Sequence, residues 1–192
     1  MIAPALLLQA YASGWFPMAA DPHRGGRIEW FSPNPRGVLP LDGFHVPARL
    51  ARVIRQGRFE IRIDTAFEAV MRACAARDET WINEDIIESY VALHRLGFAH
   101  SVEAWREARI VGGLYGVALR GAFFGESMYH DETDASKVAL VALVERLRER
   151  AYVLLDVQWV TPHLHQFGAV EVPRRRYLKL LAESMLLERR FV

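Results

Sequence analysis

The segment AHSVEAWREARIVGGLYGVALRGAFFGESM, residues 99–128, decides the fold class. It contains three strand-like runs, AHSVEAW, RIVGGLYGVAL and GAFFGESM, that are separated only by short polar or glycine-containing breaks. Such breaks connect neighbouring antiparallel strands, so the segment predicts an antiparallel meander. A helix pattern follows in DASKVALVALVERLRERA, and the mostly apolar run YVLLDVQWV then predicts a buried strand. A meander, a long helix and a returning strand predict an α+β, or mixed α/β, domain.

Further elements are expected on either side of this segment. They are a strand in FEIRI, helices in TAFEAVMRACAA and NEDIIESYVALHRL, and a last helix in PRRRYLKLLAESMLLER. Thr65 and Asn83 are the expected N-caps of the two central helices. Asp134 or Ser136 is the expected cap of the long helix.

The turn-rich segment 21–43 separates a short N-terminal stretch from the rest of the chain. It predicts a small N-terminal lobe, residues 1–34, and a main domain, residues 35–192. The order of elements in the main domain is similar to that of the acyl-CoA N-acyltransferase fold. That fold holds the CoA pyrophosphate with an RxxGxG/A loop at a helix N-terminus, and this chain has no such loop. In its place stand three carboxylates, Asp131, Glu132 and Asp134, which would repel a pyrophosphate.

Composition indicates a globular protein with few special features. The 192 residues are 52% hydrophobic, which is enough for one sizeable core without metals or disulfides. The single cysteine, Cys74, excludes an intramolecular disulfide, the N-terminus has no basic leader or cleavage site, and no apolar run is long enough to span a bilayer, so we expect a cytoplasmic protein. The net charge of +1 gives no nucleic-acid signal, but Arg49, Arg52 and Arg55 fall on one helical face. This face is either a phosphate-binding surface or a solvated helix surface.

Three polar residues interrupt apolar strands. Alternation places Glu126 on the same face as Phe124 and Met128, and it places Asp156 and Gln158 on one face of the later strand. A lone buried carboxylate is commonly paired with an arginine, but two polar residues on one face with a third nearby predict a polar site within an apolar cleft.

Other site types find less support. His163 and His165 lack further ligands at metal-binding spacing, so no metal site is expected. Ser127 follows Glu126 in a strand, and no GxSxG elbow surrounds it, which argues against a serine nucleophile. Trp81 lies in a polar loop, where it is either a core residue or a stacking platform for a base.

Taken together, the motifs resemble one family. The segments that carry the resemblance extend over most of the chain; they are YASGWFPMA, WFSPNPRGVLPL, ETWINEDIIESYVALHRLGFAHSVEAW, VGGLYGVALRGAFFGESMYHDETDASKVAL and LLDVQWVTPHLHQFGAVEVPRRRYL. The order of GESM, ASK, DVQ and HLHQFGA within them is specific. The chain is therefore similar to the leucyl/phenylalanyl-tRNA–protein transferases.

This resemblance implies an activity and partners. Such an enzyme takes Leu or Phe from its aminoacyl-tRNA and joins it to the N-terminus of a protein that begins with Lys or Arg, which marks that protein for N-degron proteolysis. It implies an acyltransferase-like main domain that uses aminoacyl-tRNA in place of acetyl-CoA, with no cofactor. We also expect a monomer. The alternatives are a CoA-dependent N-acyltransferase and a non-catalytic module that binds tRNA or peptide ends.

The resemblance also implies site residues. Asp156 and Gln158 match the family's proposed catalytic pair, to which Glu126 is added. Trp81 would stack near the terminal adenosine of the tRNA, and Arg52 and Arg55 match the tRNA-binding helix, which we extend to Arg49. The expected lining of the amino-acid pocket is Leu114, Phe123, Gly125, Glu126, Ser127, Met128 and Leu155.

The chain departs from the family pattern at two substrate-binding positions, Met18 and Leu114. Met18 stands where one branch has a second stacking Trp, which affects adenosine recognition. Leu114 stands where a Met can line the pocket, which could shift the preference between Leu and Phe.

Overall fold

The computed structural model describes residues 1–22, 26–77 and 80–192. These residues form seven helices and nine strands. In chain order they are α1 (Pro4–Ala12), β1 (Phe16–Ala19), β2 (Ile28–Phe31), β3 (Arg36–Val38), α2 (Ala48–Arg55), β4 (Glu60–Ile63), α3 (Phe67–Ala75), α4 (Glu84–Arg95), β5 (Ala99–Arg106), β6 (Arg109–Leu119), β7 (Ala122–His130), α5 (Ala135–Glu149), β8 (Leu154–Gln158), α6 (Pro162–His165), β9 (Val170–Val172) and α7 (Arg174–Met185).

The main sheet has seven strands in the order β4-β5-β6-β7-β8-β3-β9. Strands β4 to β7 pair antiparallel, which confirms the predicted meander. Helix α5 then returns the chain so that β8 pairs parallel with β7, and β3 and β9 complete the sheet with antiparallel pairing. The predicted α+β class and the acyltransferase-like order of elements are therefore present.

Two apolar clusters cover the two faces of this sheet. On one face, α1, α3, α4 and α7 pack against sheet residues that include Tyr115 and Phe124. On the other face, α5 and α2 pack against sheet residues that include Leu114 and Leu155. Because α1 belongs to the first cluster, the N-terminal segment packs directly on the main sheet. The division of the chain after residue 34 remains a prediction.

The helix caps agree with expectation only in part. Asn83 caps α4 as predicted, since its side chain accepts a hydrogen bond from Ile86 N at 3.0 Å. Thr65 does not cap α3, because its hydroxyl and backbone N–H donate to the carboxylate of Glu103 on the neighbouring strand β5.

The expected cap of α5 is also wrong. Asp134 occupies the N-cap position with a left-handed φ of 73°, but its side chain makes no capping hydrogen bond to the helix. Its carboxylate instead binds Arg49 and Lys137, and no cap from Ser136 is observed among the described residues. Long cationic side chains compete successfully for this carboxylate.

A β-bulge in β7 changes which faces its residues occupy. The pairing with β6 shifts by one residue, so Glu126 has no partner across the ladder. Phe124 and Glu126 both face α1, where each contacts Tyr11. Met128 packs on the opposite face, against the cluster of α5. The prediction that Met128 shares a face with Glu126 is therefore wrong, because one extra residue inverts the alternation beyond the bulge.

The close contact between α5 and the sheet generates a test. A Cβ at Gly112 in β6 would lie 2.6 Å from Ala135 Cβ and 3.0 Å from Ser136 N at the start of α5. Because the clash is with short, fixed atoms, we expect Gly112→Ala to lower the free energy of unfolding by about 1–3 kcal/mol, as measured by urea denaturation. Gly43→Ala, whose added Cβ comes no closer than 3.6 Å to Pro40, is the control. Equal stability of the two variants would contradict this packing.

Candidate active site

A cavity opens where β7 and β8 separate. Their parallel pairing ends at Phe124 and Asp156, although both strands continue. The space between them and α5 has a volume of about 720 Å³, which lies within the range of small-molecule sites. Its wall on the α5 side is apolar and consists of Leu114, Met128, Leu140, Leu143, Leu155 and Val157.

The opposite wall is more polar. Tyr115, Ser127 and the end of α3, including Arg77, line it together with Trp81. Phe16, Met18 and Trp159 line the same cavity, and the ring of Phe16 contacts the exposed Trp159 edge-on at 5.3 Å between centroids. The cavity therefore combines one apolar wall with a wall of mixed chemistry.

Most of the residues predicted from the sequence meet at this cavity. Those that line it are Met18, Trp81, Leu114, Gly125, Glu126, Ser127, Met128, Leu155 and Gln158. Phe123 is a correction to the predicted lining. It is fully buried behind the wall, where its ring packs 5.2 Å from that of Phe191.

Asp156 lies beneath the cavity in a fully buried ion pair. Arg36 donates to it from Nε at 2.9 Å and from Nη2 at 2.8 Å, and Tyr177 OH donates at 2.6 Å. Burial alone would lower the pKa of Arg36, but the charge and hydrogen bonds of Asp156 outweigh burial and raise it. Arg36 therefore remains charged at neutral pH.

The same carboxylate holds the backbone of Gln158. Gln158 N donates to Asp156 Oδ1 at 2.9 Å, and Gln158 has a left-handed φ of 57°. Non-glycine residues rarely adopt this region, so the surrounding contacts must hold it there. One such contact is the close approach of β3, since a Cβ at Gly37 would lie 2.7 Å from the backbone of Trp159. Asp156 thus bonds Gln158 through its backbone and leaves the side-chain amide available.

Buried polar atoms without hydrogen-bond partners concentrate at the cavity. Across the described residues there are four such side-chain atoms, and three belong to residues that line it: Tyr115 OH, Gln158 Nε2 and His163 Nε2. Burial, with the nearby charges of Lys137 and His130, lowers the pKa of His163, so its ring is neutral at neutral pH. Orphaned polar atoms are costly in a folded protein unless a ligand satisfies them.

Glu126 is enclosed by tyrosines. Tyr11 OH donates to its Oε1 at 2.7 Å and Tyr90 OH to its Oε2 at 3.3 Å, and the two hydroxyls also contact each other. Burial raises the pKa of Glu126 to about 8, and the nearby Asp156 charge adds to this, although both hydroxyl groups oppose it. The carboxyl is therefore mostly protonated at neutral pH.

The carboxylates of the acidic loop after β7 differ in their partners. Glu132 accepts hydrogen bonds from Arg58 at 3.1 Å and Arg106 at 2.9 Å, and Asp134 is buried and paired with Arg49 and Lys137. Asp131 is exposed and lines the cavity. Asp131 is therefore the loop acid that faces the site.

The predicted basic helix is α2. Its Leu50, Val53 and Ile54 pack on the α5 cluster. The arginines at 49, 52 and 55 are all exposed, as the helical spacing predicted. Arg49 contacts Asp134 at the start of α5, next to the loop that borders the cavity, so the basic surface adjoins the site.

Sequence reasoning missed several residues of this site. Arg36 and Tyr177 contact Asp156 from 120 and 21 residues away in the chain, and Tyr11 reaches Glu126 across 115 residues. The available signal was the need of each buried carboxylate for a partner, but a single sequence does not indicate which distant residue meets that need.

The fold is a mixed α/β domain whose cavity combines an apolar wall with an unpartnered amide. Comparisons with known proteins show which family has this sequence. A family model described as "Leucyl/phenylalanyl-tRNA protein transferase" matches residues 38–182, and the model of its N-terminal domain matches residues 1–34. The leucyl/phenylalanyl-tRNA–protein transferase of Rubrobacter xylanophilus is 56% identical, over 99% of this chain and 98% of its own length. That of Gloeobacter violaceus is 55% identical, over 99% of this chain and 97% of its own length.

The chain belongs to the leucyl/phenylalanyl-tRNA protein transferase family. The resemblance that the sequence motifs indicated is confirmed, and so is the prediction of an aminoacyltransferase. Among solved structures, the L-PGS from Bacillus licheniformis is 13% identical, covers 77% of this chain and 47% of its own, and has a TM-score of 0.44. In the part of the chain that the structure describes, no helix has the length and apolar character that crossing a membrane requires.

The protonation of Glu126 gives a test of the site's electrostatics. Its pKa is about 8 in the folded protein but about 4.3 in an unfolded chain, so between these values the folded state binds more protons and its stability falls as pH rises. Because glutamine cannot titrate, the free energy of unfolding of the wild type minus that of Glu126→Gln should decrease between about pH 5 and 8, then level off. Urea titrations across pH measure this difference. A constant difference would contradict a neutral Glu126 in the folded protein.

Proposed function

We propose that this protein transfers leucine, phenylalanine and, less efficiently, methionine from aminoacyl-tRNA to the N-terminal α-amine of proteins that begin with Lys or Arg. By its resemblance to the family, the added residue would mark the protein for N-degron proteolysis in the bacterial cytoplasm. The observation that carries the proposal is the apolar cavity that borders the unpartnered amide of Gln158.

The donor's side chain fits the α5 wall. A leucyl or phenylalanyl group has no polar atoms, and Leu114, Met128 and Leu143 offer it only apolar surface. Such a pocket distinguishes side chains that differ by one methylene by only about 1–3 kcal/mol. We therefore expect methionine to be transferred as well, whereas the desolvation cost of a charge excludes charged side chains from the pocket.

The chemistry requires little more than positioning. The acceptor's α-amine attacks the ester carbonyl carbon, a C–N bond forms, and the C–O bond to the ribose breaks. The proton lost by the amine ends on the departing ribose oxygen. An aminoacyl ester is more reactive than the amide it becomes, and an α-amine with a pKa of about 7.7–8.0 is already partly neutral, so no strong base is required.

Gln158 is the proposed catalytic residue. Its Nε2 can donate to the oxygen that becomes negative in the tetrahedral intermediate, which is the role of an oxyanion-hole donor. Asp156 supports it as a positioning residue, because its oxygens already accept bonds from Arg36, Tyr177 and the Gln158 backbone. A ribose hydroxyl of the tRNA carries the proton to the leaving oxygen.

The acceptor's basic side chain requires a carboxylate nearby. Asp131 is exposed at the cavity and is the better candidate in the resting protein. Glu126 is protonated at neutral pH until a cation approaches, since a neighbouring positive charge lowers the pKa of a carboxyl group. Glu132 and Asp134 are neutralised by arginines and so are weaker candidates.

The tRNA would lie along α2 and enter past Trp81. Arg52 and Arg55 are exposed on α2, where they can contact backbone phosphates. Trp81 and Met18 line the cavity together, and Ala19 N, next to Met18 in β1, donates to Trp81 O at 3.0 Å. The indole can stack on the terminal adenine, with Met18 as an apolar neighbour.

The direct test is transfer of labelled leucine from Leu-tRNA to peptides that differ only in their first residue. We expect labelling of peptides that begin with Arg or Lys and none of those that begin with Asp or Ala, because the site presents carboxylates to the acceptor. Acetyl-CoA serves as a control donor and should label no peptide. Labelling from acetyl-CoA, or of every peptide alike, would contradict the proposal.

A matched pair of variants ties this activity to the cavity. Gln158→Ala should lower the single-turnover rate by roughly 10²–10³-fold, as the loss of one oxyanion donor does. Gln9→Ala changes an exposed glutamine on α1 and should keep the wild-type rate. If Gln158→Ala also kept it, the assignment of Gln158 would be wrong.

A further inference from the structure

The polar wall of the cavity contains a fixed cation. Of the cavity-lining residues in the described chain, Arg77 alone is an arginine or lysine. Its Nε donates to Cys74 O at 3.1 Å and its Nη2 donates to Ser127 Oγ at 2.9 Å. These two bonds fix the guanidinium between the end of α3 and strand β7.

This cation retains the capacity to bind a ligand. A guanidinium has five N–H donors, and the two bonds use only two of them. The neighbouring wall residues, Ala73 and Ala76, have small side chains that leave the surface in front of α3 open to the cavity. Ser127 Oγ accepts from Arg77, and a hydroxyl that accepts one hydrogen bond can still donate its own hydrogen to a group that Arg77 binds.

A second observation on this side of the sheet also points to a ligand. Tyr115 is fully buried, lines the cavity, and its hydroxyl has no hydrogen-bond partner. Burial and the nearby Glu126 raise its pKa, although the charge of Arg77 opposes this, so the hydroxyl stays neutral and can donate. Arg77, Ser127 and Tyr115 thus present hydrogen-bond donors to one part of the cavity.

We propose that Arg77 and Ser127 bind the phosphate on the 5′ side of the donor's terminal adenosine. The inference rests on the proposed function, in which the donor is an aminoacyl-tRNA. If the α5 wall holds the amino-acid side chain, the attached nucleotide must extend along the other wall, where Trp81 and Arg77 lie. The phosphodiester is the anionic group of the donor nearest the reacting ester, and a guanidinium matches it in charge and in paired donors.

Donors with and without this phosphate test the site. Phenylalanyl-adenosine has no phosphate, whereas phenylalanyl-adenosine 5′-monophosphate and Phe-tRNA have it. We expect Arg77→Gln to raise KM for both phosphorylated donors roughly tenfold, with little change in kcat. For phenylalanyl-adenosine, KM should change less than twofold. With Phe-tRNA, the slope of log KM against log salt concentration should be smaller by about 0.7 in Arg77→Gln than in the wild type.

Arg72→Gln is the matched control. Arg72 is an exposed arginine on α3, the helix that ends just before Arg77, but it is paired with Glu68 and Glu84 and does not line the cavity. It should change KM for no donor. An equal loss with all donors in Arg77→Gln would show that Arg77 supports the wall rather than binds phosphate. An Arg72→Gln effect equal to that of Arg77→Gln would show only general electrostatic attraction. Either result overturns the proposal.

Direct binding separates this proposal from the proposed function. Calorimetry should show that the wild type binds adenosine 5′-monophosphate more tightly than adenosine, and that Arg77→Gln removes the difference. Equal binding of the two by the wild type would overturn the phosphate site even if transfer occurred. Preserved discrimination without any transfer would support the phosphate site while contradicting the proposed function.

Discussion

The buried ion pair of Arg36 and Asp156 is the interaction on which the rest of the site depends. It joins β3 to β8 beneath the cavity, and the guanidinium lies between the rings of Phe16 and Tyr177 at 4.9 and 4.6 Å from their centroids. A buried pair of this kind adds little net stability when complete, but the loss of one partner leaves an uncompensated charge in the core. Through this pair, the N-terminal segment, the sheet and α7 meet at the point where β8 ends.

In the proposed function, this arrangement separates the positioning role of Asp156 from the chemistry at Gln158. Asp156 is fully enclosed and fully bonded, so it orients the end of β8 and does not face the cavity. The strained backbone of Gln158 follows from that anchoring, and its amide is left without a protein partner beside an apolar wall. An acyl transfer between an ester and an amine needs such an arrangement more than it needs a strong base, because preorganised donors supply the stabilisation of the oxyanion.

The sequence was sufficient for the meander, the long helix and the returning strand, because each has a strong local pattern. It also indicated Glu126, Asp156 and Gln158, since polar residues are unexpected on buried strands. It failed where a non-local contact decides the outcome. One case is the bulge that turns Met128 to the other face of the sheet, and the other is the Glu103 carboxylate, which binds the Thr65 hydroxyl that was expected to cap α3. The partners of the buried carboxylates, Arg36 and the tyrosines, were missed for the same reason.

The most direct test of the central claim is the pH dependence of the single-turnover rate in the double variant Arg36→Gln/Asp156→Asn. This variant removes both charges together, so no unpaired charge remains in the core. If Asp156 only positions Gln158, the rate falls but still rises with pH through the pKa of the acceptor amine, about 7.7–8.0, as in the wild type. If the pH profile of the variant lost that rise, or showed an additional pH-dependent step, the account would be contradicted. Asp156 would then take part in the proton transfer itself.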